Sequence, residues 1–261
     1  MKQLKSSYQD LHRIFRHSIT AREIAEPLAS FEKEHPAPKV LSFMKERDFD
    51  VVGVRNEGVI TGYVLRESLG SETVGDYMQP FDELEVMDES NPLLDTLESL
   101  RSSRWVFIRF LGNPSGIVTR GDLQKAPMRM WLFGLISLLE MQLLRRIRDA
   151  YPQNLWQRYL TPGRLEAAQR IFDERKRRND SIDLAECLQF ADKKTIFSKS
   201  KTLFEILNFV NPKDWNRFMI EVENLRNKIA HSNGISSDSW PSIAVLVSSI
   251  ERNLIRLENG K

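Results

Sequence analysis

The chain carries a single cysteine, Cys187, among its 261 residues, which excludes an internal disulfide framework. It also excludes any zinc site built on several thiolates. The histidines His12, His17, His35 and His231 are scattered, so a histidine-rich metal centre is not expected. No glycine-rich phosphate loop follows a strand, no His-Glu-x-x-His occurs, and there is no nucleophile elbow. Long apolar runs are missing too. Met130–Leu144 is the most apolar stretch, but it is only about 15 residues long, against about 20 for a bilayer span, and contains Glu140 and Gln142. Met1–His17 is polar and charged with no apolar centre, unlike a secretory signal. The expectation is a cytoplasmic protein with no membrane partner.

Net charge is also nearly absent: 38 Lys and Arg against 36 Asp and Glu give +2. The balance conceals a division. Residues 1–126 hold 16 basic and 20 acidic residues, or −4, and residues 127–261 hold 22 and 16, or +6. An acidic half beside a basic one points to different partners for each, the basic half being the candidate for an anionic polymer.

What the first half does contain is a repeat. Phe49–Leu69 aligns without a gap on Ser103–Leu123, at an offset of 54. In each copy an apolar strand (Val51–Val54, Trp105–Ile108) meets a glycine turn (Gly58, Gly112). A second strand then opens Gly-x-Val, as Gly62-Tyr63-Val64 and Gly116-Ile117-Val118. Upstream helical patterns align at the same offset, Pro38 on Pro92, Val40 on Leu94 and Phe43 on Leu97. One such unit cannot bury both faces of a two-stranded ribbon; two packed together can.

The segment Gly116-Ile117-Val118-Thr119-Arg120-Gly121-Asp122-Leu123, in this order of elements, resembles a tandem pair of CBS domains over about residues 18–126. The resemblance implies an α+β nucleotide sensor in which Thr119 and Asp122 hold the phosphate and ribose of an adenine nucleotide (ATP, ADP, AMP or a relative). Arg120 would add phosphate charge. The first repeat has Leu65 and Ser68 where the second has Thr119 and Asp122, so one occupied site per pair is expected. The other reading of Thr-x-x-Asp is a helix cap.

After Pro127 the pattern turns helical. Met128–Ala150, Pro162 to about Arg178, Ile182–Phe190, Phe197–Phe209, Lys213–His231 and Pro241–Leu257 all carry three- and four-residue apolar spacing. This predicts an up-and-down all-helical bundle over residues 127–261, behind an N-terminal lead of residues 1–17. In Asp214–Ser232, with Phe218 at zero, Val222, Leu225 and Ile229 fall at about 40°, −20° and 20°. They form a core stripe. Asn227 and His231 stack on the opposite side, Arg226 sits at the stripe's margin, and Gly234 can end the helix.

Arg226-Asn227-Lys228-Ile229-Ala230-His231 resembles the Arg-x4-His signature of HEPN domains. The fold class is therefore an α+β CBS pair followed by an all-α HEPN-like bundle. The resemblance implies a metal-independent endoribonuclease, needing no cofactor for catalysis, in which RNA supplies its own 2′-hydroxyl nucleophile. His231 would move the proton, Arg226 would bind the phosphate and its developing charge, and Asn227 would orient one or the other. Glu140, a carboxylate inside an apolar run, is expected either at an exposed edge or paired across the bundle with Arg226 or His231. Since one helix offers one histidine and cleavage needs an acid and a base, the resemblance implies a homodimer. It also implies a toxin or defence role, with an antitoxin or regulatory protein as partner. The competing reading is a non-enzymatic nucleotide-sensing regulator whose helical half binds RNA or protein. The run Arg175-Lys176-Arg177-Arg178 reads as a charged helix end in preference to a track for RNA, and Cys187 as core packing.

Overall fold

The protein is seen in a computed structural model that describes residues 18–230 and 239–259, together with residues 10, 13 and 14. His231 and Gly234 lie outside the described residues. The chain divides into two compact units, residues 18–128 with 239–241, and residues 129–230 with 242–259.

In the first unit each repeat builds its own sheet. β1 (Glu26–Pro27) and β2 (Ser30–Glu32) precede helix α1 (Ala37–Arg47), β3 (Val51–Asn56) and β4 (Val59–Leu65). β5 (Val86–Asp88), α2 (Leu93–Ser102), β6 (Trp105–Phe110) and β7 (Asn113–Thr119) repeat the order. The sheets run β2-β3-β4 and β1-β7-β6-β5, so the first strand of repeat one crosses to the sheet of repeat two. The short strands β1, β2 and β5 carry no alternating pattern long enough to read, and the expected ribbons are sheets of three and four strands.

Period-two alternation explains the packing. Val52 and Val54 of β3 and Val64 of β4 pack with Val40 and Met44 of α1. Val51 and Tyr63, on the other face, meet Phe107 and Ile117 of the second sheet. Both hairpins turn through two residues at positive φ: Glu57 (52°) and Gly58 (82°), then Leu111 (47°) and Gly112 (87°). That is the type I′ geometry, whose twist suits a two-residue hairpin.

The hairpin strands β3, β4, β6 and β7 keep the offset of 54, including a bulge at Val54/Arg55 and again at Ile108/Arg109, whereas β2 and β5 are offset by 56. The helices do not keep it either. α1 begins at Ala37 and α2 at Leu93, so their true offset is 56, and the buried positions Ala37, Val40 and Met44 answer to Leu93, Thr96 and Leu100. The ungapped alignment of Pro38 on Pro92 is two residues out. The difference is absorbed after α1, where Asp48 turns left-handed (φ 54°) and the connection to β3 is longer than its counterpart. A pseudo-twofold relation follows: Ala21 N–H donates to Asn91 O, and Val74 N–H to His35 O.

The second unit is helical in its described residues. Its elements are α3 (Ala126–Ala150, whose first turn belongs to the first unit), α4 (Pro162–Arg177), α5 (Phe190–Lys199), α6 (Lys201–Phe204), α7 (Pro212–Ala230) and α8 (Trp240–Asn259). Leu132, Leu135, Ile136, Leu139 and Leu143 of α3 are buried, as are Phe218, Val222, Leu225 and Ile229 of α7. The stripes read from spacing are the faces that pack.

Two expected helices are corrected. Ile182–Phe190 is no α-helix; only Leu184–Cys187 makes a 3₁₀ turn, its N–H groups capped by Asp183, and α5 starts at Phe190. Phe197–Phe209 breaks at Ser200, which leaves the helical region (ψ 112°) and caps Leu203 N–H instead. Asp and Ser satisfy backbone donors locally, and that competes with helix continuation.

Two arginines of α3 arrange the bundle. Arg129 donates to the carbonyls of Lys228 and Ile229 at the end of α7, and Arg146 to those of Leu257 and Glu258 at the end of α8. Each supplies donors to carbonyls in the last described turn of its helix, where intrahelical donors run out. α7 therefore ends where α3 begins, and α8 ends where α3 ends.

Candidate functional site

Two places gather the residues singled out in the sequence, one in each unit.

The first is a cavity of about 860 Å³ in the repeat pair, lined by Glu26–Ala29, Arg47–Val51, Arg104, Trp105, Ile117 and Thr119–Asp122. Thr119, Arg120 and Asp122 are thus brought together. β7 ends at Thr119, and a 3₁₀ turn, Asp122–Gln124, follows. Thr119 donates its N–H (2.8 Å) and its hydroxyl (2.7 Å) to Asp122 Oδ2. Asp122 Oδ1 lies 3.0 Å from Lys125 Nζ, which also donates to Ile24 O and pairs with Glu26. Lys125 is pulled downward in pKa by burial and upward by Glu26 and Asp122; the upward pull prevails. The same Thr-x-x-acid clasp recurs at Thr20/Glu23 and Thr73/Asp76. Thr119 and Asp122 therefore clasp the end of β7 to the start of the turn, although the N-cap position itself is Gly121, which has no side chain to cap with.

Arg120 lines the cavity but is anchored: its guanidinium donates to the carbonyls of Leu100 and Arg101 at the end of α2. Its repeat counterpart, Arg66, bonds Asp48 (3.0 Å) and Asp50 (2.6 Å) in the longer connection after α1. Arg104, which the sequence reading passed over, is an exposed cation on the cavity wall. Beside the cavity, Tyr63, Phe81 and Phe107 stack with ring centroids 4.8–5.6 Å apart, and Leu65, at the repeat position of Thr119, packs against the same cluster. Burial, then Glu85, pushes the Tyr63 phenol up.

The second place lies on α7. Glu140 of α3 reaches it: Glu140 Oε2 is 3.9 Å from Arg226 Nη1, both side chains about 30% exposed. The other carboxylate oxygen accepts from Lys193 Nζ at 2.7 Å. Lys193, on α5, is buried and donates also to Leu188 O at 2.8 Å. The Arg226 guanidinium sits 5.4 Å from the centroid of the Phe190 ring, a cation–π contact. Asn227 is exposed. Glu140 and Arg226 are thus brought together, while Asn227, next along α7, is exposed to solvent.

Sequence reading missed Lys193, Phe190 and Arg129. One signal was available for Lys193. It stands three and four residues before Ile196 and Phe197, on the face that helical spacing reserves for apolar residues. Arg129 carried no such mark, because nothing local distinguishes a capping arginine from a solvated one.

Among the described residues no group of three or more His, Cys, Asp and Glu could hold a metal ion, and no helix is long and apolar enough to cross a membrane. No family model and no curated protein matches the chain. Among solved structures, the chain is similar to the CBS domain of a bacterial CNNM/CorC family Mg2+ transporter in complex with ATP, at 20% identity. That match covers 44% of this chain and 92% of the other, with a TM-score of 0.35. The chain is similar also to CBSX2, a CBS-pair protein of Arabidopsis thaliana, in complex with AMP, at 20% identity over 42% of this chain and 97% of the other, with a TM-score of 0.37.

Proposed function

We propose that this chain is a nucleotide-regulated, metal-independent endoribonuclease. An adenine nucleotide occupies the repeat-pair cavity, and the helical unit cleaves RNA. The observation that carries the reading is the meeting of Glu140 and Arg226 across 86 positions of sequence, Arg226 being the first residue of the Arg-x4-His motif. A guanidinium held beside a carboxylate, with an exposed amide next along the helix, suits a phosphodiester. Arg226 binds the non-bridging oxygens and stabilises the charge that builds on them. The RNA 2′-oxygen attacks phosphorus, its proton passes to a histidine, and the 5′-oxygen leaves with a proton from a second one. Two copies of His231, supplied by a homodimer, fill both roles. The products are a 2′,3′-cyclic phosphate and a 5′-hydroxyl.

For the sensor, support comes from the cavity's size and from Thr119, Arg120, Arg104 and Asp122 in its wall. A drug-sized or nucleotide-sized ligand fits a cleft of roughly 300–1,000 Å³. The rival reading, in which the repeat pair only packs and the helical unit binds without cutting, is favoured by one observation. Asp122 already spends both oxygens on Thr119 and Lys125.

The test is cleavage of RNA in EDTA, with and without ATP or AMP, by the wild type and by Arg226→Ala and His231→Ala. Cleavage by the wild type alone supports the enzyme. Equal cleavage by the variants, or none under any nucleotide condition, leaves the binding module.

A further inference from the structure

Glu140 is shared unequally between two cations. Its contact with Lys193 is short, 2.7 Å, and that ammonium is only 5% exposed. Its contact with Arg226, at 3.9 Å, is too long for a hydrogen bond. An unhindered arginine and carboxylate close into a two-bond fork at about 2.8 Å. Here the fork is open.

The buried charge itself needs a reason. An ammonium removed from water costs several kcal/mol unless well paired, and a hydrophobic residue in its place is often neutral or stabilising. Lys193 is nevertheless held on the apolar face of α5, with Glu140 and Leu188 O as its acceptors among the described residues. Phe190, three residues earlier on the same helix, faces Arg226. Two residues of one helix turn thus act on one arginine, the first through Glu140 and the second through its ring.

We infer that Lys193 is a positioning residue that keeps Arg226 available for a phosphodiester. It engages the Glu140 carboxylate, so Glu140 steers the guanidinium without neutralising it, and the Phe190 ring fixes its plane. Lys193, Glu140 and Arg226 together carry one net positive charge, the complement of one phosphodiester anion. The inference rests on the reading that RNA binds at α7, and it deepens that reading by naming what the site recognises: a single backbone phosphate beside Arg226. Removing Lys193 frees Glu140 to close on Arg226 and quench it. A purely structural lysine has no such effect, and its loss is not repaired by changing Glu140.

The experiment is a two-by-two set in the full-length chain: wild type, Lys193→Met, Glu140→Gln and the double variant. Binding of a fluorescent single-stranded RNA is measured by anisotropy at two salt concentrations, beside a thermal melt of each protein. Lys193→Met is expected to weaken binding about tenfold. The double variant is expected to return to within about twofold of Glu140→Gln. Unchanged binding by Lys193→Met, or a double variant no better than Lys193→Met, overturns the inference. Where Lys193→Met melts below the assay temperature, Lys193→Gln takes its place, uncharged but still able to donate to Leu188 O. Arg226→Ala separates the two levels of the argument. If it binds RNA as tightly as wild type, the RNA reading of α7 fails. If it binds weakly while Lys193→Met does not, only the role of Lys193 fails.

Discussion

Asp122 and Thr119 are joined twice, by a backbone N–H and by a hydroxyl, both donating to one carboxylate oxygen. The carboxylate is therefore fixed in direction before any ligand arrives, with its second oxygen balanced by Lys125. A ribose that binds there meets a preorganised acceptor, and the same bonds close the end of β7.

Asp122→Ala is accordingly expected to lower both stability and nucleotide affinity. Loss of the carboxylate that accepts both Thr119 donors costs about 1.5–3 kcal/mol, and loss of a charged acceptor for ribose weakens AMP binding about tenfold or more. Thermal melting and titration calorimetry measure the two effects. A lower melting temperature with unchanged AMP affinity assigns Asp122 to the clasp with Thr119 alone.

Leu111 is 95% exposed and holds φ at 47° in the second hairpin turn. A β-carbon in the left-handed region costs about 1–2 kcal/mol, and a solvated leucine recovers none of it by burial. Leu111→Gly is expected to be stabilising or neutral, and Leu111→Asn stabilising by up to about 1 kcal/mol. Urea denaturation reads this as a higher midpoint at constant slope. A loss of stability in Leu111→Asn would show that the leucine side chain has a partner.

Arg129 closes the end of α7 through two carbonyls. Arg129→Ala is expected to cost about 1–3 kcal/mol, since hydrogen bonds from charged donors lie at the upper end of the range. The loss should concentrate in the last turn of α7, within reach of Arg226. Amide exchange over Leu225–Ala230 is expected to quicken more than exchange in α8, whose end is held by Arg146 instead. Uniform quickening across both helices contradicts a local clasp.

Cys187 is buried, and burial pushes its thiol above the ordinary value near 9.0. The folded chain thus holds that proton more tightly than the unfolded chain. The sign follows: this contribution to stability is complete below about pH 9 and is lost as pH rises through the folded value. Reaction with a disulfide reagent is expected to be far slower in the native protein than in urea at pH 8, and urea midpoints to fall between pH 8 and 10. Equal thiol reactivity in both states rules out the buried, protonated thiol.

Much of this architecture was legible beforehand because it is written in short-range patterns. The repeat of Gly58 and Gly112, with alternating valines around them, specifies two hairpins of one type. The stripe Phe218, Val222, Leu225 and Ile229 specifies which side of α7 is core. Where the reading slipped, a local competitor had won. Ser200 interrupts a helix by capping the next turn, and Asp183 holds a 3₁₀ turn where apolar spacing suggested an α-helix. The two-residue slip between α1 and α2 escaped notice because the strands on its far side keep perfect register.

The sequence by itself determined periodicities, caps and turns, since each depends on residues within a few positions of one another. It also placed Thr119 and Asp122 three residues apart, close enough for their side chains to bond across the turn. Only the tertiary structure decided that Lys193 rather than Arg226 grips Glu140, that Arg129 and Arg146 bond the last carbonyls of α7 and α8, and that Tyr63, Phe81 and Phe107 stack across the two repeats. Those outcomes depend on which charges and rings are desolvated side by side. No spacing along the chain encodes that, because the partners are brought within reach by packing alone.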